Sequence, residues 1–311
     1  MTLVWDPVLQ ARLHLIKDLP APALQPPTPE VAAAMAAWDA PPEGYVVPQV
    51  DARDLAIPGP RGPVDARVYF PPTGNSDRGF VWIHGGAFMF GDLDMAEADV
   101  VSRELCVRGD MVVVSLDYRK TIDGAHYPVG QDDVFAAWNW IVRESGFTEG
   151  PWAIGGASAG ASLAASLVQR ARDYNCALPD RVNLIYPAGH RVMPDGGAAF
   201  DAIMAQVPAR LTFPPETIAI INANYIGQQP GDLTYAWPGD GNLAGFPPTL
   251  VVNAEFDSLR PSGEHLAAGI AAAGATVECL TEAGVPHGHM NIPGLPTQLR
   301  TIDRMVAFTR G

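Results

Sequence analysis

The middle of the chain alternates short, wholly apolar runs with segments of helical pattern. Residues 80–83, 111–116 and 152–154 have the length of β-strands, and helical patterns follow near 94–108, 131–144 and 159–173. A strand that is apolar at every position must be covered on both faces, and helices between parallel strands provide that cover. The alternation therefore predicts an α/β fold on a mostly parallel sheet, whose ligands bind at the carboxyl ends of the strands.

Further strands are predicted on both sides of this core. Residues 54–57 and 64–70 have β-like patterns, and the Pro- and Gly-rich turn at 58–63 between them predicts a hairpin. Toward the end of the chain the pattern predicts strands at 182–186, 249–253 and 276–280 and helices at 262–273 and 296–309.

Two regions lack the alternation of apolar strands and helices that predicts the sheet. Residues 3–18 have a rough amphipathic pattern, and Thr28, Pro29 and Glu30 predict the start of a second helix. We therefore expect a helical segment at 1–45 and one α/β domain at 46–311. Within that domain, residues 188–246 are either an inserted cap or an irregular crossover, with helical patterns at 200–207 and 214–226.

Composition excludes several kinds of function. A net charge of −14 argues against nucleic acid or an anionic membrane surface as a partner. Three widely spaced cysteines indicate neither a disulfide framework nor a zinc site, and the acidic run at 92–99 is interpreted as a solvated helix start rather than a metal site. With no signal-peptide pattern and no long apolar run, we expect a cytoplasmic protein. We also expect that it needs no metal or cofactor.

A candidate nucleophile follows the third apolar run. In Gly156-Ala157-Ser158-Ala159-Gly160, a serine between two glycines lies where a strand turns sharply into a helix. Such a turn exposes the serine hydroxyl at the positive end of the helix. Among nine serines and 31 glycines the pattern alone is weak evidence, so its surroundings must support the assignment.

A glycine pair after the first apolar run is a candidate oxyanion hole. Adjacent glycines allow successive backbone N–H groups to approach a substrate closely. We expect the donors to be the N–H groups of Gly85 and Gly86, together with that of Ala159, which follows the serine. His84 is interpreted as a residue that holds the local backbone by hydrogen bonds.

An acid and a base follow two later strands, in the chain order serine, acid, histidine. Asp257 and Glu255 are both candidates for the acid, and His287, which precedes a glycine, is preferred over His289 as the base. His289 is expected to line the substrate pocket. Apolar pocket walls are also expected from four other side chains: Phe88, Phe90, Phe213 and Ile218.

These motifs together resemble those of the hormone-sensitive lipase-like family of α/β-hydrolase carboxylesterases. The resemblance covers roughly residues 50–311 and includes five segments, at 84–88, 115–119, 156–160, 243–260 and 287–288. It implies an α/β-hydrolase fold with an eight-stranded, mostly parallel sheet, helices on both faces and a helical cap from residues 1–45 and 188–230. The chain departs from the family pattern at Ala157, where Asp is usual, at His289, where Phe is usual, and at Ala87, which replaces a third glycine.

The resemblance implies a serine carboxylesterase that hydrolyses small, short-acyl esters with Ser158, His287 and Asp257 as its triad. Members often form dimers through a sheet edge, so a homodimer is possible. Two alternatives stay open at this point: a non-catalytic small-molecule binding protein on the same fold, and an amidase or lactonase that uses the same residues. The sequence does not name the natural substrate.

Overall fold

The predicted strands pair into one sheet in a computed structural model that describes residues 3–22, 27–74, 76–228 and 231–311. Within these residues the sheet has eight strands in the order β1-β2-β4-β3-β5-β6-β7-β8. The pairs β1–β2 and β2–β4 are antiparallel, and the other neighbours are parallel. The strands are β1 (Asp51–Ile57), β2 (Val64–Phe70), β3 (Gly79–Ile83), β4 (Val112–Asp117), β5 (Trp152–Ala157), β6 (Val182–Ile185), β7 (Thr249–Phe256) and β8 (Val277–Pro286). The predicted mostly parallel, eight-stranded sheet and its hairpin are confirmed.

Helices cover both faces of this sheet, as predicted. Those in the described residues are α1 (Pro7–Arg12), α2 (Pro29–Trp38), α3 (Ala96–Gly109), α4 (Val129–Glu144), α5 (Ala159–Asp173), α6 (Gly197–Met204), α7 (Pro215–Ile226), α8 (Arg260–Ala272) and α9 (Pro296–Arg310). Helices α4, α5 and α8 pack on one face, where Val81 and Ile83 of β3 point. Helices α3 and α9 pack on the other, where Phe80 and Trp82 point. Alternate side chains of β3 therefore enter two different cores, which explains why this strand is apolar throughout.

The N-terminal segment and the insertion share a third core. Trp5, Leu9 and Trp38 pack with Phe256 and Val285, at the ends of β7 and β8, and with Val207 and Leu211 of the insertion. The helix predicted over 3–18 is shorter than expected, because α1 begins at Pro7 behind an Asp6 cap and ends in a 3-10 turn at Leu13–Leu15. The cap assignment of 1–45 and 188–230 stays a prediction, and 1–2, 23–26 and 229–230 lie outside the described residues.

Three strands end immediately before a candidate catalytic residue. Strand β5 ends at Ala157, β7 at Phe256 and β8 at Pro286, so Ser158, Asp257 and His287 are each the next residue along the chain. Strands β5, β6, β7 and β8 run parallel in adjacent positions, and their carboxyl ends meet at one edge. In the part of the chain that the structure describes, no helix combines the length and apolar character needed to span a bilayer.

Candidate active site

Ser158 lies at the tight turn between β5 and α5. Its backbone has φ 53° and ψ −118°, a conformation that a non-glycine residue adopts only under strain. A Cβ at Gly156 would come within 2.4 Å of the Gly160 backbone, and a Cβ at Gly160 within 2.1 Å of the Ile83 carbonyl. Both glycines are therefore required by the close crossing of strand and helix. Ala157 is fully buried at the end of β5.

A continuous hydrogen-bonded chain connects the serine to a histidine and an aspartate. Ser158 Oγ lies 2.9 Å from His287 Nε2, and His287 Nδ1 lies 2.8 Å from Asp257 Oδ2. The second carboxylate oxygen, Oδ1, accepts a 2.8 Å hydrogen bond from the Leu259 N–H. Asp257 is completely buried and the His287 side chain is only 10% exposed. These distances are those that proton transfer from the hydroxyl to the imidazole requires.

The competing acid and base have other partners. Glu255 accepts a 2.7 Å hydrogen bond from the Gly284 N–H and does not contact His287. His289 is fully buried and pairs with Thr301 Oγ1 at 3.2 Å. Burial lowers the pKa of His289 to about 3, so its ring is neutral at physiological pH. The expectation that His289 lines the substrate pocket is wrong, because its ring is fully buried, is not part of the cavity lining and meets the Tyr186 ring edge-on at 5.3 Å.

The glycine loop after β3 differs from its predicted arrangement in one respect. The Gly85 N–H donates a 2.6 Å hydrogen bond to Glu97 Oε2, so it is already engaged and the structure does not support it as an oxyanion donor. Gly86, Ala87 and Ala159 lie on the cavity wall. Among the described residues, the N–H groups of these three have no protein acceptor.

His84 holds the backbone of this loop. Its ring is fully buried, stacks on Tyr118 with centroids 4.9 Å apart and has Nδ1 2.6 Å from the Gly85 carbonyl oxygen. This arrangement agrees with the structural role that the sequence suggested for it.

The serine hydroxyl opens into a catalytic cavity of about 290 Å³. Four predicted wall residues, Phe88, Phe90, Phe213 and Ile218, lie on its surface. Phe88 stacks on Tyr225 with ring centroids 4.0 Å apart, and Phe213 meets His287 edge-on at 5.0 Å. The sequence did not single out the remaining side chains that narrow it, among them Met95, His190, Met193, Ile221, Asn222 and Leu259.

A second, outer cavity of about 570 Å³ adjoins the first. Three side chains line both cavities and form the wall between them: Met193, Phe213 and Ile218. The Phe213 N–H is anchored to Ser258 Oγ at 3.0 Å, which ties this wall to the loop that carries Asp257. The shape of the catalytic cavity therefore depends on residues of the 188–246 insertion.

Sequence reasoning missed three polar residues beside the nucleophile. Glu97 was included in an acidic run interpreted as solvated, yet it is only 2% exposed. Tyr186 and Asn291 also lie here and donate hydrogen bonds to its carboxylate. Val100 and Val101, three and four residues after Glu97 on the same helix, are a sequence signal that it lies on the buried face. No group of three or more His, Cys, Asp or Glu side chains in the described ranges is arranged to hold a metal ion.

The sheet order and the strand-to-helix turn at Ser158 define the protein as an α/β-hydrolase. Residues 80–291 match a family model, Abhydrolase_3, described as alpha/beta hydrolase fold. This match covers more than half of the chain, so the chain belongs to that family. The resemblance to hormone-sensitive lipase-like carboxylesterases is confirmed.

Curated relatives and solved structures agree with this assignment. The esterase LipI of Mycobacterium tuberculosis is 33% identical over 268 residues, which are 82% of this chain and 79% of LipI. Carboxylesterase NlhH from the same species is 30% identical over 92% of this chain and 89% of its own. A hyperthermophilic esterase from Pyrobaculum calidifontis has a TM-score of 0.75 at 27% identity, over 97% of this chain and 90% of that one. Carboxyl esterase 2 from Tuber melanosporum has a TM-score of 0.79 at 25% identity, over 99% of both chains.

Proposed function

We propose that this carboxylic ester hydrolase is a serine esterase of small, short-acyl esters. Ser158 is the nucleophile, His287 the general base and Asp257 the group that orients the base. The observation that carries the proposal is the continuous chain from Ser158 Oγ through His287 to Asp257, with its two hydrogen bonds of 2.9 and 2.8 Å. The relatives named esterase and carboxylesterase support the reaction class.

In the first half of the reaction, Ser158 Oγ attacks the ester carbonyl and His287 Nε2 takes its proton. The buried Asp257 carboxylate accepts the Nδ1–H of His287, which keeps Nε2 free as the base and stabilises the imidazolium. His287 then protonates the leaving alcohol, and an acyl-enzyme on Ser158 is left. In the second half, His287 activates water, which cleaves this acyl group and restores the serine.

The negative charge that develops on the carbonyl oxygen must be stabilised by hydrogen-bond donors. We assign this role to the N–H groups of Gly86, Ala87 and Ala159, which line the catalytic cavity and donate to no acceptor within the described residues. Ala159 is also the first residue of α5, so the positive end of that helix faces the same point. Each donor of this kind contributes about 2.7–4 kcal/mol to transition-state stabilisation.

The size of the cavity supports a preference for short acyl groups. About 290 Å³ lies at the lower end of the roughly 300–1,000 Å³ typical of small-molecule sites. Its walls are mostly apolar, and Met193, Phe213 and Ile218 block extension into the outer cavity. A long acyl chain would have to displace these side chains, whereas an acetyl or butanoyl group would not.

The direct test is hydrolysis of p-nitrophenyl esters from acetyl to decanoyl by the wild type and by Ser158→Ala. We expect the highest kcat/KM with acetyl or butanoyl esters and a loss of about 10⁴-fold or more in the variant. Stoichiometric phosphonylation by an organophosphate, mapped to Ser158 by mass spectrometry, is the independent readout. Full activity of Ser158→Ala would refute the proposal, and a p-nitroanilide and a lactone assayed in parallel separate esterase from amidase and lactonase.

A further inference from the structure

Glu97 is a buried carboxylate beside the nucleophile that the esterase mechanism does not use. It lies in the first turn of α3, is 2% exposed and contributes to the wall of the catalytic cavity. The ion pairs found among the described residues do not include it. A buried carboxylate without a cation is costly unless hydrogen bonds compensate it, so its donors indicate its role.

Those donors come from three different loops of the site. Oε2 accepts from the Gly85 N–H at 2.6 Å, in the loop after β3. Oε1 accepts from the Tyr186 hydroxyl at 2.5 Å, in the loop after β6, and from Asn291 Nδ2 at 3.2 Å, in the loop after β8. One side chain therefore ties together three segments that are far apart in the sequence.

The first of these segments is strained. Gly86, Ala87 and Phe88 all have positive φ, at 112°, 53° and 64°, and two of them are not glycine. Such strain persists only where surrounding contacts hold the loop, and several hydrogen bonds within and around it do so. Glu97 holds Gly85 at its start, and the Thr121 N–H holds the Phe88 carbonyl at its end with a 2.8 Å hydrogen bond.

Gly85 is also wedged between Glu97 and the nucleophile. A Cβ at this position would come within 2.7 Å of Glu97 Oε2 and 3.1 Å of Ser158 Cβ. A displacement of the carboxylate would therefore change the position of the loop relative to Ser158. The peptide units that follow Gly85 carry the N–H groups of Gly86 and Ala87, which are the proposed oxyanion donors.

The same carboxylate reaches the base through Tyr186. The Tyr186 ring packs against the His287 ring with centroids 4.6 Å apart. Burial and the Glu97 charge raise the pKa of Tyr186 well above its ordinary value, so the hydroxyl stays protonated and donates to Oε1. Asn291, the third donor, lies in the short turn after His287.

We propose that Glu97 is a positioning residue, which fixes the oxyanion donors of the loop after β3 relative to Ser158 and His287. This inference rests on the proposed esterase function and adds to it the residue that supports the loop after β3. Because the donors of this loop bind charge that exists only in the transition state, displacement of the loop lowers kcat and leaves substrate binding nearly unchanged.

The test compares Glu97→Gln with Glu104→Gln, two isosteric changes on the same helix. Glu104 is 3% exposed and accepts from the Tyr45 hydroxyl and Arg108 Nε, both at 2.7 Å, and it does not line the cavity. For p-nitrophenyl acetate we expect Glu97→Gln to lower kcat about 10–100-fold with KM within about threefold, since the donors are displaced but not removed. Glu104→Gln keeps kcat within about twofold.

A trifluoromethyl ketone supplies a readout that general destabilisation does not produce. Ser158 attacks its carbonyl carbon, and the resulting adduct carries an oxyanion at the position where the transition state carries one. The affinity of this inhibitor therefore reports on the oxyanion donors. We expect its inhibition constant to rise in Glu97→Gln by the same factor by which kcat/KM falls. Unchanged kcat and inhibitor affinity in a folded Glu97→Gln would overturn the inference.

Tyr186→Phe keeps the test decisive if Glu97→Gln does not fold. The variant removes one donor to Glu97 and preserves the ring beside His287, and we expect a smaller fall in kcat, about threefold to tenfold, again with KM nearly constant. Wild-type activity from Tyr186→Phe would contradict the positioning role. A wild type without ester hydrolysis or Ser158 labelling would instead remove the proposed function, and this inference with it.

Discussion

The carboxyl edge of the sheet and the insertion above it form opposite walls of the same cavity in different ways. At the sheet edge, Ser158, Asp257 and His287 each follow the last residue of a strand, and backbone hydrogen bonds hold Ser158 and Asp257. In the insertion, Met193, Phe213 and Ile218 are half-buried side chains without regular backbone pairing to the sheet. The comparison teaches that the chemistry depends on backbone geometry, whereas the substrate range depends on side-chain packing.

The largest expected effect is a loss of kcat when a residue at the sheet edge is replaced. Asp257→Asn should lower kcat about 10⁴-fold, because the amide favours the wrong tautomer of His287. Glu255→Gln is the matched control, since this carboxylate bonds the Gly284 N–H instead of His287, and we expect activity within about twofold of wild type. Kinetics with p-nitrophenyl acetate measure both. Equal losses in the two variants would mean that the acid has been assigned to the wrong residue.

A change in the insertion should alter specificity and leave the chemistry intact. Ile218→Ala opens the wall between the catalytic and outer cavities, and we expect kcat/KM for octanoyl esters to rise about tenfold relative to acetyl esters. The acetyl rate itself should change little, because Ser158, His287 and Asp257 do not move.

Ile220→Ala is the control for this prediction. Ile220 lies on the same helix, is 55% exposed and lines neither cavity. The acyl-chain series should be the same for this variant and for wild type. If Ile218→Ala also leaves the series unchanged, the insertion does not set the acyl-chain limit and the contrast between the two walls fails.

The smallest effect is expected in the N-terminal segment and concerns stability alone. Burial raises the pKa of Asp39 from its ordinary 3.8 to about 7, partly offset by Arg12 and Arg210. A group whose pKa is raised on folding stabilises the protein fully below its unfolded pKa and loses that contribution as pH rises through its folded pKa. The relevant window for Asp39 therefore runs from about pH 4 to above pH 7.

The Asp39→Asn variant has no charge to bury at this position, so it should not lose stability there as pH rises. We expect the variant to melt about 2 °C above wild type at pH 8 and at the same temperature near pH 4, measured by scanning calorimetry. Its kcat for short esters should equal that of wild type, because Asp39 does not line the catalytic cavity. A difference in melting temperature that does not depend on pH would show that the carboxyl is not the cause.

Much of the sheet edge could be predicted because its signals are local. An apolar run marks a strand, and the candidate residues follow it at the carboxyl edge of a parallel sheet. The strands continue beyond the predicted ends at 154, 253 and 280, to Ala157, Phe256 and Pro286. Gly156 and Gly160 mark the turn around Ser158, and the order of serine, acid and base follows directly from the chain. The hydrogen bonds from Ser158 to His287 and from His287 to Asp257 agree with that order.

The incorrect expectations concern contacts between distant segments. The choice of Gly85 as a donor did not anticipate a carboxylate 12 residues away that takes its N–H. His289 follows the same strand as His287, but the turn after Gly288 points its ring into the core. The acidic run containing Glu97 has the composition of a solvated surface, yet Asn291, 194 residues away, reaches this carboxylate.

The sequence by itself therefore determined the α/β layering and the chain order of serine, acid and histidine, since hydrophobic periodicity and turn chemistry act over a few neighbouring residues. Only the tertiary structure decided which N–H groups are free to bind an oxyanion, which carboxylate holds their loop and which side chains limit the cavity. These depend on the packing of groups far apart along the chain, and close packing leaves each of them little freedom to adopt another arrangement.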